Sequence, residues 1–207
     1  RHAKIFDEDN IIPEFCFGCF KVQVEVDTLL DLIKVTTLFY QLDFEDELTR
    51  KTMVELRPYM SGFYKGLIYC SGLEEASAVA EHLDLALQKN IRPSMSSQIK
   101  RGCSEYPVTF PLYKEINMLG PQPMNYNPEW KKVENQHDKI SPSNPRNNRK
   151  STIPGLSLLD CKIMQNWFGY AKGIGDPDLN LLGENVKFNQ KFFERGQLRA
   201  KCHQFKP

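Results

Sequence analysis

Residues 20–42 read FKVQVEVDTLLDLIKVTTLFYQL, and the first seven of them alternate apolar with polar side chains. Alternation with period two, carried here by β-branched valines, is typical of a half-buried β-strand. Asp27 then offers a helix N-cap, and apolar residues recur at helical spacing from Leu29 to Tyr40. The stretch therefore predicts a strand followed directly by a helix that ends near Leu42.

The next sixty residues extend this pattern to a complete sheet-and-helix unit. Residues 52–57 form a short predicted strand that ends at Pro58, and residues 63–70 form a third, strongly β-forming strand. Ser71 and Glu74 are spaced as a capping box before a helix that ends ahead of Pro93, and residues 97–104 are the fourth predicted strand. The order β-α-β-β-α-β predicts an α+β fold of the ferredoxin-like type for residues 19–104.

The remaining segments have a different composition. Residues 1–18 are mixed polar and aromatic, which favours an irregular lead-in to a core of residues 1–110. Residues 111–207 are rich in proline and asparagine, with helices predicted to begin at Asn127, Ser157 and Asn189 and the second of them to end at Gly173. We expect this C-terminal extension to pack on the first half because it has too few strands to build its own core.

The overall composition is that of a globular protein and argues against a membrane-spanning segment and against nucleic-acid binding driven by net charge. Hydrophobic residues make up 41% and charged residues 26%, as in an ordinary globular domain, and the formal net charge is +1. No global field therefore attracts the chain to nucleic acid, and no apolar run approaches the roughly 20 residues that span a bilayer. We expect a soluble protein, cytoplasmic if its cysteines are reduced or metal-bound. Because the chain starts at Arg1, we also expect it to be a piece of a larger protein.

Four of the six cysteines are predicted to meet at one rim of the sheet. In a ferredoxin-like sheet, the start of the first strand lies beside the ends of the third and fourth strands. These positions carry Cys16 and Cys19, Cys70, and Cys103, respectively. A C-x-x-C pair with two further thiolates is the ligand set of a four-cysteine zinc site, and iron–sulfur clusters use the same ligands. Buried thiols without a metal, or two disulfides, are the alternatives.

The sheet face opposite the helices supports a second hypothesis. It carries charges of both signs on central strands, which are costly if they are buried without partners. Either the face binds a polar ligand, or the C-terminal extension covers it and pairs the charges. If it binds a ligand, we expect Glu25, Glu55, Arg57 and Arg101 to contact it. Such a surface would suit an enzyme for a small charged substrate, although no nucleophile, zincin or phosphate-binding motif is present.

A third hypothesis comes from residues 65–75, KGLIYCSGLEE. This stretch resembles the third strand and second helix of RNA-recognition motifs, which share the predicted strand order. The resemblance covers residues 19–104 at most and implies single-stranded RNA binding. Leu67 stands where that family has an aromatic residue for base stacking, and the basic residues within 139–150 are more typical of a solvated loop. Nucleic acid is therefore the less favoured partner.

The function predicted first is a metal-stabilised binding or interaction module. Its ligands would be the four cysteines, with zinc the first choice and an iron–sulfur cluster the second. Another protein, or neighbouring domains of the parent chain, would contact the open sheet face or the extension.

Overall fold

The chain folds as a mixed α+β protein around a four-stranded antiparallel sheet, in a computed structural model that describes residues 2–44, 48–140, 157–182 and 189–203. The strands are β1 (Phe20–Val26), β2 (Thr49–Val54), β3 (Tyr64–Cys70) and β4 (Gln98–Arg101). Their order across the sheet is β2-β3-β1-β4. The α+β prediction is thereby confirmed.

Seven α-helices lie in the described ranges. They are α1 (His2–Asp9), α2 (Glu14–Gly18), α3 (Leu29–Gln41), α4 (Leu73–Asn90), α5 (Trp130–Ile140), α6 (Leu158–Ile174) and α7 (Gln190–Cys202). Short 3-10 helices cover Tyr106–Val108, Pro111–Lys114 and Pro177–Leu182. Among these helices, none combines the length and apolar character needed to cross a membrane. The prediction of an irregular lead-in was wrong, because α1 and α2 occupy it.

The helix starts follow local capping chemistry, although some caps differ from the predicted ones. Thr28, rather than Asp27, caps α3 by accepting from the Asp31 N–H. The helix predicted to begin at Ser157 is α6, and Ser157 and Asp160 form its capping box. Most of the basic stretch 139–150 lies outside the described residues.

The residues group into two compact units. The first contains residues 1–22, 68–81 and 98–148, and the second contains 23–67, 82–97 and 149–207. Each unit therefore draws on both halves of the sequence.

In the second unit, a buried carboxylate connects the C-terminal region to the sheet and to α3. The Oδ2 atom of Asp176 accepts a hydrogen bond of 2.7 Å from the Leu29 N–H and one of 2.6 Å from the Tyr64 hydroxyl. Asp176 thus satisfies the first N–H of α3 from 147 positions away in the sequence. Burial raises the pKa of this carboxyl, and the bonds from Tyr64 and Leu29 oppose that rise.

The second unit also contains a close crossing of two helices at glycines. A methyl group placed on Gly173 of α6 would lie 2.1 Å from the Phe193 carbonyl oxygen of α7, and one on Gly196 would lie 2.3 Å from the Tyr170 carbonyl oxygen. Gly173 therefore sits inside α6 and does not end it. The helix ends instead at Gly175, whose φ of 79° is the left-handed conformation of a C-cap.

We expect Gly173→Ala to lower the free energy of unfolding by about 2 kcal/mol, because the added methyl group forces α6 and α7 apart. Alanine's higher helix propensity offsets only part of this cost. Urea denaturation followed by circular dichroism measures the change. Lys162→Ala, at an exposed position of the same helix, should stay within about 0.5 kcal/mol of the parent. Equal effects for the two variants would contradict the close crossing.

Candidate metal centre

The first unit brings together the three chain segments that carry the predicted thiol ligands. Cys16 lies in α2, Cys19 follows that helix, Cys70 ends β3 and Cys103 follows β4. A methyl group on Gly18 would lie 3.5 Å from the Ser71 carbonyl oxygen, so the segments that carry Cys19 and Cys70 are neighbours. The Gly102 N–H donates to the Cys19 carbonyl oxygen at 3.0 Å, so the segments that carry Cys19 and Cys103 also meet.

Glycine is needed at position 102 for this approach. A methyl group there would lie 2.5 Å from the Cys19 Sγ atom. Gly102 is thus the point of contact between the end of β4 and the C-x-x-C pair.

The four thiols interact in successive pairs and do not form one compact group. Cys103 hydrogen-bonds with Cys16, while Cys19 is an electrostatic neighbour of both Cys103 and Cys70. All six cysteines are thiols, so the predicted alternative of two disulfides is absent from the structure. No three of the described cysteines hold their sulfur atoms within 4.8 Å of one another.

Burial favours the protonated form of Cys19 and Cys70 at neutral pH. It raises the pKa of Cys19 to about 11 and that of Cys70 to about 12. The pKa of Cys103 is raised by its hydrogen bond with Cys16 and by burial. A metal would have to displace these protons, since thiolate is the ligating form.

Two buried cations accompany the thiols in the same unit. The Lys21 ammonium donates to the Gly102 carbonyl oxygen at 3.2 Å, directly beside Cys103 in the chain. Arg101 is 5% exposed and donates to the Phe17 carbonyl oxygen at 3.0 Å. Its guanidinium lies 4.5 Å from the Phe20 ring centroid and 5.1 Å from that of Tyr113. In the described ranges no carboxylate pairs with Arg101, and its Nε atom has no hydrogen-bond partner.

Sequence reasoning missed the aromatic residues around the thiols. Tyr113 donates to the Cys16 carbonyl oxygen at 2.9 Å. Tyr106 is 1% exposed, and its hydroxyl faces Cys16 and Cys103 without a nitrogen or oxygen partner in the described part of the chain. Both tyrosines lie in 3-10 turns of a proline-rich segment. No periodicity marks them, so spacing alone could not have found them.

A separate group of potential ligands lies at the surface of the first unit. Glu8, Asp9 and His137 hold one ligand atom each within 4.8 Å of one another. The His137 Nε2 atom is 2.5 Å from the Asp9 carboxylate, which joins α5 to α1. This contact is accounted for as a hydrogen bond between two helices.

The polar side chains of the predicted ligand face are largely paired within the second unit. Glu55 is fully buried, and its carboxylate accepts from the Arg57 guanidinium at 2.9 Å and from the Lys65 ammonium at 3.0 Å. The Tyr170 hydroxyl of α6 donates to the Glu55 carbonyl oxygen at 2.8 Å. Helix α6 of the C-terminal extension thus contacts the face at the Glu55 main chain, whereas the Glu55 charge is paired by Arg57 and Lys65.

Three of the four residues predicted to bind a polar ligand lie in the second unit. Glu55 and Arg57 are an ion pair, and the exposed Glu25 accepts from the Gln23 side chain at 2.7 Å. Arg101 belongs to the other unit, among the aromatic rings near the thiols. Their ligand-binding role stays a prediction.

Comparison with known proteins places no further constraint on the site. No family model, curated protein or solved structure matches the chain.

Proposed function

We propose that this chain is a metal-stabilised binding module whose ligands are Cys16, Cys19, Cys70 and Cys103. The observation that carries the proposal is the meeting of three chain segments with four thiols beside two buried cations. Zinc or an iron–sulfur cluster is the group that such a ligand set takes.

Charge balance is the strongest physical support. A divalent ion held by four thiolates leaves two negative charges uncompensated, and burying them without counter-charges is costly. Buried Arg101 lies in the same unit, as does Lys21, whose charge acts on Cys19. Among the described residues, the buried Arg101 guanidinium contacts aromatic faces and carbonyl oxygens but no carboxylate. Burying this charge without an anion nearby would cost folding free energy.

Two further buried donors lie in the same unit as the thiols. The Tyr106 hydroxyl hydrogen-bonds with Cys16 and Cys103, and the Arg101 Nε atom has no hydrogen-bond partner among the described residues. In metal sites, buried donors of this kind commonly hydrogen-bond to the ligands that coordinate the metal.

The spacing of the thiols bears on the choice of metal. Tetrahedral zinc with bonds of about 2.3 Å holds its sulfur atoms about 3.8 Å apart. Zinc binding would require the cysteine side chains to rotate toward one another, because no three described sulfur atoms lie within 4.8 Å. An iron–sulfur cluster has a larger core and holds its ligands farther apart, so it would require the hydrogen-bonded Cys16 and Cys103 to separate.

We further propose that the sheet and its two crossover helices are a ferredoxin-like unit. Helix α3 links β1 to β2, helix α4 links β3 to β4, and the spatial order β2-β3-β1-β4 supports this topology.

The partner of the module would be another protein or a neighbouring domain of the parent chain. The enzyme and RNA-binding alternatives stay predictions, and the pairing of Glu55 by Arg57 and Lys65 favours neither.

Metal analysis of the full chain, purified without oxygen or chelators, tests the proposal. We expect about one zinc, or several irons with sulfide and visible absorption, per chain. Cys103→Ser should lose most of the metal, whereas Cys161→Ser, at an exposed position, should retain it. Less than about a tenth of an equivalent of either metal in the parent would overturn the proposal, as would equal retention by the two variants.

A further inference from the structure

A cavity of about 480 Å³ lies within the second unit, between the end strand of the sheet and the helices α3, α6 and α7. Its walls are mainly apolar and include Phe39 of α3, and Met164 and Trp167 of α6. A volume of this size is in the range of small-molecule sites, which commonly combine apolar walls with a few polar groups.

The cavity follows the free edge of the sheet. Five consecutive residues of β2, from Arg50 to Val54, line it. Successive strand side chains point to opposite faces, so a cavity that touches all five runs along the strand edge and not over one face. Since β2 is the first strand in the sheet order, the backbone N–H groups that do not pair with β3 point toward this side.

The charged groups at the rim favour an anion. Arg50, Lys51 and Asp160 sum to one positive charge. The Arg50 guanidinium donates to the Phe39 and Leu42 carbonyl oxygens. The Asp160 carboxylate accepts from the Ser157 N–H at the N-cap of α6. Lys51 is exposed and has neither an ion pair nor a hydrogen bond to any residue that the structure describes.

We propose that this cavity binds an apolar carboxylate of the acyl or aryl type. The hydrocarbon part lies against Phe39, Met164 and Trp167, and the carboxylate lies at Lys51 and the outward N–H groups of β2. The proposal rests on residues of the second unit alone, so it stands or fails independently of the metal proposal.

Methionine methyl NMR with decanoate as the probe tests this site. The chain has six methionines, of which Met53 and Met164 line the cavity. We expect decanoate, added below its micelle concentration to the full chain, to shift these two methyl signals saturably and to leave the other four unchanged. The absence of a shift at Met53 and Met164, or equal shifts of all six signals, would overturn the site.

Charge reversal then tests the chemical class of the ligand. Lys51→Glu should weaken decanoate binding by about tenfold or more and leave the binding of the uncharged analogue decanol unchanged. Lys89→Glu, at an exposed position of α4, should change neither. An unchanged decanoate affinity in the Lys51 variant would overturn the carboxylate assignment.

Discussion

Arg199→Ala is expected to lower the free energy of unfolding by roughly 4 kcal/mol, because one side chain holds an entire turn of the backbone. Arg199 is 1% exposed, and its two terminal nitrogens donate to four carbonyl oxygens at 2.7–2.9 Å. The acceptors are those of Arg57, Pro58, Met60 and Gly62. Truncation removes a charged donor from each of these carbonyls and opens space beside the Phe63 ring, over which the guanidinium lies at 5.6 Å.

Urea denaturation at neutral pH measures this loss, and the same helix provides a matched control. Arg195 is exposed, so Arg195→Ala should change the free energy of unfolding by no more than about 0.5 kcal/mol. Arg199→Lys should recover only part of the stability, since an ammonium cannot span four acceptors as a planar guanidinium does. A loss below about 1 kcal/mol in the alanine variant would show that water replaces the guanidinium without cost.

Glu55→Gln is expected to destabilise the protein by roughly 3 kcal/mol at pH 7 and by progressively less as the solution is acidified. Burial alone would raise the pKa of Glu55, but the hydrogen bonds from Arg57 and Lys65 outweigh it and lower the pKa from 4.5 to about 2. A depressed carboxyl pKa stabilises the folded state above the unfolded value. That contribution is lost as the pH falls from about 4.5 toward 2.

The comparison requires unfolding curves for the parent and the variant at several pH values between 2 and 7. Their difference in free energy should be constant above pH 5 and should shrink below about 4.5. Glu81→Gln, at an exposed position of α4, should show no difference at any pH. A difference for Glu55→Gln that does not change with pH would mean that lost packing, rather than the ion pairs, explains the destabilisation.

Local patterns predicted the elements of the sheet because their causes are local. The alternating valines of residues 20–26 correctly predict the strand β1, but the expectation that it is half-buried was wrong, because only Glu25 of its seven residues is exposed. The α6 capping box is local as well, since it is a contact between residues three apart. Errors arose where a distant contact decides the conformation. Gly173 resembles a helix stop in the sequence, but the backbone of α7 crosses at that point and requires a residue without a side chain.

The candidate metal centre was predictable only in its cysteines. Strand order brings Cys16, Cys19, Cys70 and Cys103 into one region, and topology can be inferred from pattern. The tyrosines and the Arg101 environment depend on contacts between residues about 80 to 100 positions apart, for which a single sequence carries no signal. The sequence likewise placed Glu55 on the sheet face opposite the helices but did not identify Arg57 and Lys65 as the partners of its buried carboxylate.

The Asp176 carboxylate has a consequence for how the chain can be divided. A fragment that stops before residue 157 would retain α3 and β3 but would lose the acceptor shared by the Leu29 N–H and the Tyr64 hydroxyl. Two donors would then face a void in the interior, together with the surface that Tyr170 covers. A fragment that proteolysis or truncation ends before residue 157 is therefore structurally incomplete. A recombinant fragment that is meant to fold has to include the C-terminal segment.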